Sequence, residues 1–143
     1  MNGPQIPDDD HVVHLCSGGS IDPAGRVTST AFFLKDKAEY VSVNWLEFLR
    51  LPTRIEEIAE VRRILMEKVT LRRTGRLAVL NVGRTKQKIR TESKQEIQVT
   101  HYPEPNDPSH SGLVYPAGNA TVVEYLAQFV ADSVVETHPA VTI

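Results

Sequence analysis

Residues 101–112 hold four side chains that suit acid–base or nucleophilic chemistry, namely His101, Asp107, Ser109 and His110. Histidine titrates near neutral pH, so it serves as a general acid or base without any shift of its pKa. Loops carried on a rigid scaffold supply many catalytic groups. The stretch therefore predicts the catalytic site of a small hydrolase or transferase, with Ser42 and Asn44 as further candidates.

The same stretch also has a purely structural interpretation. The Asp-Pro-Ser sequence at 107–109 is ordinary turn chemistry, because short polar side chains satisfy nearby backbone N–H groups. Ser109 and His110 are neighbours in sequence, which does not make them face each other in space. A catalytic site requires that His101 and His110 converge in a pocket and that a carboxylate holds one of them. The favoured carboxylate is Asp107, and the alternatives are Glu104 and Glu47.

Positive charge is concentrated in a second region, residues 62–94. This segment contains eleven of the sixteen Lys and Arg residues and only two acidic ones, so its net charge is +9, while the other segments carry −11. Such asymmetry indicates an anionic partner, for example nucleic acid or a nucleotide phosphate. Alternatively, the basic and acidic segments neutralise each other on the folded surface.

Within this basic segment, the end of an apolar run predicts an anion-binding helix N-terminus. Residues 77–82 read as a buried strand that turns through Gly83 into a helix, whose dipole and unpaired backbone N–H groups attract negative charge. The candidate anion-binding residues are Gly83, Arg84, Thr85, Lys86, Lys88 and Arg90. The spacing is not that of a Walker A motif. No aromatic residue lies between residues 62 and 94, so phosphate contact rather than base stacking is predicted.

His11, His14 and Cys16 superficially resemble a group of metal ligands. On a strand, however, His11 and His14 point to opposite faces. Zinc sites also usually have tighter and repeated Cys and His spacing. We therefore predict neither a metal site nor a cofactor.

The composition is typical of a small soluble domain. The 143 residues are 41% hydrophobic and 24% charged, which suits one domain with its own core. The single cysteine, Cys16, cannot form an internal disulfide and favours a reducing compartment. Neither a signal peptide nor a membrane-spanning apolar run is recognisable, so we expect a cytoplasmic protein without a membrane partner.

Apolar patterning and capping signals predict the elements that must position these residues. Strands are expected at 10–15, 27–35, 40–45, 77–82 and 96–102 from β propensity and alternation. Helices are expected at 45–50, 53–68 and 121–135, each with Asn or Thr at the N-cap and Glu three residues later. A further short helix is expected with Thr85 as its N-cap.

Together these elements predict a single α+β domain, with a mixed sheet of about five strands and helices packed mainly on one face. Residues 1–10 are expected to be a flexible N-terminal segment, residues 11–138 the domain and residues 139–143 a tail. Binding of an anionic partner through residues 62–94 is the favoured function, because the charge asymmetry is a property of the sequence itself. The alternatives are catalysis by residues 101–112 and a non-catalytic accessory module that docks on another protein.

Overall fold

An antiparallel sheet of six strands forms the centre of the structure, a computed structural model that describes residues 3–116 and 119–142. The strand order is β4-β5-β2-β1-β3-β6. The strands are β1 (His11–Cys16), β2 (Val41–Trp45), β3 (Arg76–Asn81), β4 (Gln98–His101), β5 (His110–Val114) and β6 (Val134–Pro139). The helices are α1 (Arg54–Met66), α2 (Val82–Ser93) and α3 (Ala120–Asp132). No helix in this part of the chain has the length and hydropathy needed to cross a bilayer.

The predicted α+β class is confirmed, with two differences in the sheet. It has six strands rather than about five, and its pairings are antiparallel rather than mixed. Strand β5 begins inside the predicted catalytic loop, where its His-Ser-Gly start gives no alternating pattern. Strand β6 follows α3 after a single residue, and its Val-Val-Glu start suits the end of a helix as well as a strand.

The two faces of the sheet carry separate apolar clusters. On one face, which we call the α2/α3 face, Val12, Val43 and Leu80 pack with the apolar sides of α2 and α3. On the opposite face, the α1 face, Val13 and Val79 pack with α1. Alternate residues of a strand point to opposite faces, so each inner strand contributes to both clusters.

The helix starts show which capping signals operate. Thr53 caps α1 as predicted, since its hydroxyl accepts a hydrogen bond from the backbone N–H of Glu56 (3.2 Å). The N-cap of helix α2 lies four residues earlier than expected, because the side chain of Asn81 caps the helix. The predicted cap Thr85 is instead buried within the helix and donates to the Asn81 carbonyl (2.8 Å). Helix α3 is capped by Asn119 rather than by a threonine.

Two segments differ from their predicted structure because tertiary packing outweighs local propensity. Residues 27–35 do not form a strand, and a short 3-10 turn at Ser29–Phe32 takes their place. This turn places Phe32 in the core, fully buried. Residues 45–50 contribute the end of β2 and one 3-10 turn at Glu47–Leu49 instead of a helix.

Residues on both sides of the predicted 11–138 domain pack against it. Ile6 is buried in the α2/α3 core, and its backbone N–H donates to the Val99 carbonyl at the edge of β4 (2.9 Å). Ala140 is buried as well, and its N–H donates to the Gly75 carbonyl (3.1 Å). Residues 1, 2 and 143, which belong to the predicted terminal segments, lie outside the described residues.

Replacement of Leu80 by Ala should lower the free energy of unfolding by about 2–5 kcal/mol, because the side chain is removed from a closed core. Leu80 is 1% exposed and lies in β3, between β1 and β6. Denaturant titration measures the change. The control is Ile55→Ala on α1, where the side chain is 76% exposed and the expected change is about 0.5 kcal/mol or less. Equal losses in the two variants would contradict the assignment of the core.

Candidate functional site

The hairpin of β4 and β5 carries both histidines of the predicted catalytic loop, and it separates them. His101 pairs with Ser111, so His110 lies on the opposite face of the sheet. The His101 ring packs against the rings of Trp45 (5.1 Å between centroids) and Phe48 (4.8 Å). The two imidazoles therefore do not converge in one pocket.

Asp107 is the buried anchor of the loop between these strands. It is 0% exposed, and Oδ1 accepts hydrogen bonds from Asn44 Nδ2 (2.7 Å) and from the Ser109 hydroxyl (3.3 Å). Oδ2 lies 2.6 Å from Lys68 Nζ, at the C-terminal end of α1. With both oxygens engaged, Asp107 and Ser109 hold the loop against the α1 face.

Lys68 connects this anchor to a second carboxylate. Its Nζ also lies 2.7 Å from Glu104 Oε1, across the same loop. Burial disfavours the charged ammonium, but the hydrogen bonds and charges of Asp107 and Glu104 outweigh it and raise the pKa of Lys68. Lys68 is therefore positively charged at neutral pH and neutralises the buried carboxylate.

The capping interaction predicted between Asn44 and Glu47 does not form. Asn44 donates to Asp107 instead, and Glu47 turns to His11. Glu47 Oε1 accepts from the backbone N–H of His11 (2.7 Å), and Oε2 lies 2.7 Å from Nδ1 of the same residue. Partners that are distant in sequence thus outcompete a local cap worth about 1 kcal/mol.

His110 lies on the α1 face, beside Ser42. Its Nδ1 is 2.9 Å from the Tyr102 carbonyl oxygen and its Nε2 is 3.3 Å from Ser42 Oγ. A carbonyl oxygen only accepts, so Nδ1 carries the proton and Nε2 accepts from the Ser42 hydroxyl. Glu104 Oε2 is 3.7 Å from Nδ1. Asp107, the carboxylate that the sequence favoured as the partner of a histidine, binds Asn44 and Lys68 instead. Glu104, a second choice, lies beside His110 but beyond hydrogen-bond distance.

Gly112 creates the space around this histidine. It is paired with Ser42 across β2 and β5, and a methyl group there would come within 2.7 Å of the Tyr40 ring and 2.8 Å of the Tyr102 ring. The two rings stack over the glycine, 4.9 Å apart. Tyr40 also meets the His110 ring edge-on at 5.8 Å, which limits the orientations of the imidazole.

A cleft opens where β1 and β2 separate. These strands pair only at Val12↔Trp45 and Val13↔Asn44, although β1 continues to pair with β3 as far as Cys16. The His14 ring spans the opening, with Nδ1 2.8 Å from the Ser42 carbonyl oxygen and Nε2 2.6 Å from the Ala31 carbonyl oxygen. A side chain thus replaces the missing backbone pairing between the two strands.

This cleft has a volume of about 410 Å³, which lies within the range of small-molecule sites. Its lining includes two bases, Lys35 and Arg72, together with His14. None of the described residues that line it is acidic. Six lining residues carry hydroxyl groups: Ser17, Ser20, Thr30, Tyr40, Ser42 and Thr70.

Three titratable groups at the cleft are shifted toward their neutral forms. Burial, helped by the charge of Glu104, raises the pKa of the Tyr40 phenol. Burial raises the pKa of the Cys16 thiol to about 12, so this thiol is not a nucleophile at neutral pH. Burial lowers the pKa of His14, although the hydrogen bonds to two carbonyls act in the opposite direction.

The predicted anion site at the start of α2 is in contact with the N-terminal segment of the chain. The N–H of Val82 donates to the Asp10 carbonyl and that of Gly83 to the Asp8 carbonyl, both at 2.9 Å. The N–H of Arg84 donates to the side chain of Asn81 (2.9 Å). Anion binding at this terminus stays a prediction, and a ligand there would compete with these partners.

Three of the four bases of this predicted site, and two others in the basic segment, form ion pairs. Lys86 lies 3.4 Å from Asp8 and Lys88 lies 3.5 Å from Glu92. The bases of residues 62–94 that pair with carboxylates are Arg63, Lys68, Lys86, Lys88 and Arg90. Part of the charge asymmetry is therefore neutralised within the fold, which is the alternative that the sequence left open.

The cleft was not recognisable from the sequence, because its residues come from five separate segments. The sequence indicates His14 only as a possible metal ligand, and Lys35 and Arg72 do not belong to any recognisable motif. Within residues 3–116 and 119–142, no group of three or more His, Cys, Asp or Glu side chains is arranged to hold a metal ion. Comparison with known protein families, curated proteins and solved structures finds no significant match to the chain.

Replacement of Lys68 by Met should destabilise the fold by leaving the Asp107 carboxylate buried without a counter-ion. We expect a loss of about 2–3 kcal/mol, less than for a fully buried pair, because a third of the Lys68 side chain is exposed. The control is Lys88→Met, which removes an exposed helix pair worth about 0.5 kcal/mol or less. Denaturant titration of both variants measures the difference, and a Lys68→Met loss no larger than that of the control would contradict the anchor.

His14 should make the stability of the protein depend on pH. Its pKa in the fold lies below the ordinary value of 6.5, so the unfolded chain binds the proton more tightly. The contribution of neutral His14 is complete above pH 6.5 and is lost as the pH falls through the lowered pKa. Denaturant titrations between pH 7 and pH 5 should therefore show a steeper loss for the parent than for His14→Gln, whose amide group is a hydrogen-bond donor that does not titrate. Equal slopes would show that His14 does not titrate in this way.

Proposed function

We propose that the protein binds a small anionic molecule in the cleft between β1 and β2. The observation that carries the proposal is the charge of the lining, which contains Lys35 and Arg72 and, among its described residues, no carboxylate. Arg72 belongs to the basic segment 62–94. The proposal therefore keeps anion binding, the function favoured from the sequence, and assigns it to the cleft. The anionic group is a phosphate or a carboxylate.

Electrostatics supports an anion in this position. Charges at the rim of a concave site with low-dielectric walls focus the field and raise the local concentration of oppositely charged ligands. Arg72 can form a bidentate contact to a phosphate or carboxylate, whereas Lys35 acts as a point charge. Neutral Tyr40 and the serine and threonine hydroxyls offer further hydrogen-bond donors.

The rest of the lining indicates that the ligand has an apolar part. Leu15, Phe33, Leu34, Val41 and Leu71 contribute apolar surface to the same cleft. Small-molecule sites are typically lined by apolar side chains, with a few polar groups that set orientation. An anionic head attached to a short apolar body therefore matches the cleft better than inorganic phosphate does.

The arrangement of the other bases favours a small ligand over nucleic acid. A nucleic-acid surface needs several bases that neutralise successive phosphates, whereas five bases of the 62–94 segment already pair with carboxylates. The hollow lined by Arg84 and Lys88, beside α2, also contains Glu92 and Asp132. It therefore lacks the single sign of charge that the cleft has.

Calorimetric titration with hexyl phosphate, hexanoate and hexanol tests the proposal. The two anions should bind and the alcohol should bind at least about tenfold more weakly, since loss of one charge-assisted hydrogen bond costs about 1.5 kcal/mol or more. Arg72→Gln and Lys35→Gln should each weaken binding of the anions by about the same factor. Lys88→Gln, outside the cleft, is the matched control and should bind like the parent.

Three results would contradict the proposal: no binding of either anion, equal affinity for the alcohol, or equal weakening by Lys88→Gln. A single-stranded oligonucleotide is titrated in parallel. Tight, salt-dependent binding of the oligonucleotide that Arg72→Gln leaves unchanged would instead favour the nucleic-acid alternative, with phosphate contacts elsewhere on the basic segment.

A further inference from the structure

Ser42 is an exposed serine whose hydroxyl contacts the buried imidazole of His110. The residue is exposed and lines the cleft, whereas His110 is 5% exposed. The two lie diagonally across β2 and β5, where Ser42 pairs with Gly112 and Asn44 pairs with His110. Both side chains are thus carried by paired strands of the sheet, which hold a site more rigidly than loops do.

The hydrogen bonds of His110 have the direction that a general base requires. Nδ1 is fixed as the donor by the Tyr102 carbonyl, which leaves the lone pair of Nε2 directed to the Ser42 hydroxyl. A nucleophile, a base and a third group that orients the base are the parts of an activated serine. Glu104, 3.7 Å from Nδ1, adds a negative charge that stabilises the imidazolium formed when the base takes a proton.

Two other nucleophilic side chains near the site, those of Ser109 and Cys16, lack this arrangement. The Ser109 hydroxyl is fully buried and bound within the Asp107 network. The Cys16 thiol is buried and neutral. Among these three side chains, only that of Ser42 belongs to an exposed residue of the cleft and also donates a hydrogen bond to a histidine.

From this geometry we propose that Ser42 is a nucleophile and His110 its general base, and that the protein transfers the acyl group of an ester that carries a negative charge. This proposal rests on the binding proposed above, since Lys35 and Arg72 would hold the charged group of the ester. It also reassigns the catalytic residues predicted from sequence, keeping His110 and replacing Ser109 by Ser42.

The reaction has two steps, acylation of Ser42 and hydrolysis of the acyl group. Ser42 Oγ attacks the ester carbonyl carbon and loses its proton to His110 Nε2. The bond from that carbon to the alcohol oxygen breaks, and the imidazolium returns the proton to the leaving alcohol. Water then gives one proton to the same imidazole and attacks the acyl carbon. The bond from that carbon to Ser42 Oγ breaks, the imidazolium returns the proton to Oγ, and the carboxylic acid is released.

A fluorophosphonate tests the nucleophile directly. Attack by Ser42 forms an oxygen–phosphorus bond, releases fluoride and transfers the hydroxyl proton to His110. Trypsin releases the label in the peptide of residues 38–50, in which Ser42 is the only serine. Fragmentation in the mass spectrometer separates Ser42 from Tyr40 in this peptide.

We expect labelling of Ser42 in the parent, none at this position in Ser42→Ala, and a rate at least about 100-fold lower in His110→Gln, which lacks the base. Ser29→Ala, which changes a half-buried serine outside the cleft, is the control and should be labelled at Ser42 like the parent.

The pH dependence of labelling in the parent gives a second test that needs no variant of His110. The rate should fall toward acid pH, because a protonated imidazole cannot accept the Ser42 proton. A parent that is not labelled at Ser42, or a rate that is independent of pH between 5 and 8, overturns the proposal.

Ester hydrolysis separates this proposal from the binding proposal. The parent should hydrolyse the mono-p-nitrophenyl ester of succinate with a lower KM than p-nitrophenyl butyrate, and Arg72→Gln should raise only the KM of the charged ester. Hydrolysis of both esters with equal KM, together with labelling of Ser42, supports the nucleophile and contradicts the anion site. Binding of hexyl phosphate without labelling or hydrolysis contradicts the nucleophile and leaves the anion site supported.

Discussion

The arrangement of the site depends on the burial of one carboxylate, that of Asp107. A buried charge is costly unless it is paired and hydrogen-bonded, and here Lys68 from the end of α1 and Asn44 from β2 meet that requirement together. Three distant parts of the chain must therefore come together before the loop between β4 and β5 is stable. Since that loop carries Tyr102 and Glu104, the same constraint positions the groups that orient His110.

The cleft is a consequence of incomplete strand pairing. Where β1 and β2 diverge, the His14 ring lies between the Ser42 carbonyl of β2 and the Ala31 carbonyl of the 3-10 turn, and its one N–H in the neutral form donates to one of these two oxygens. The opening is lined on one side by Ser42 and on the other by residues that follow β1 and α1. The lining of this opening contains His14, Lys35 and Arg72, and none of its described residues is acidic. An empty packing defect would instead be lined by apolar side chains.

Several predictions from the sequence were right because a local signal was sufficient. The apolar run that contains Leu80 became an inner strand, and the Thr53 and Glu56 signature became the start of α1. Other local signals were overridden by contacts with residues that are distant in sequence. Asn44 and Glu47 have the spacing of a helix cap, but Asp107 and His11 bind them more favourably. Strand β5 was read as a loop because glycine and serine give no period, although Gly112 is required there by the two tyrosine rings.

The sequence by itself determined the class of the fold, the central strand that contains Leu80 and the stretch from which one catalytic candidate, His110, would come, because these depend on composition and on the period of apolar residues. Only the tertiary structure decided which side chains meet. Strand parity placed His101 and His110 on opposite faces, and strand register placed His110 beside Ser42, which lies 68 residues earlier in the chain. Contacts between such distant residues follow from the pairing of strands, and no local pattern records that pairing.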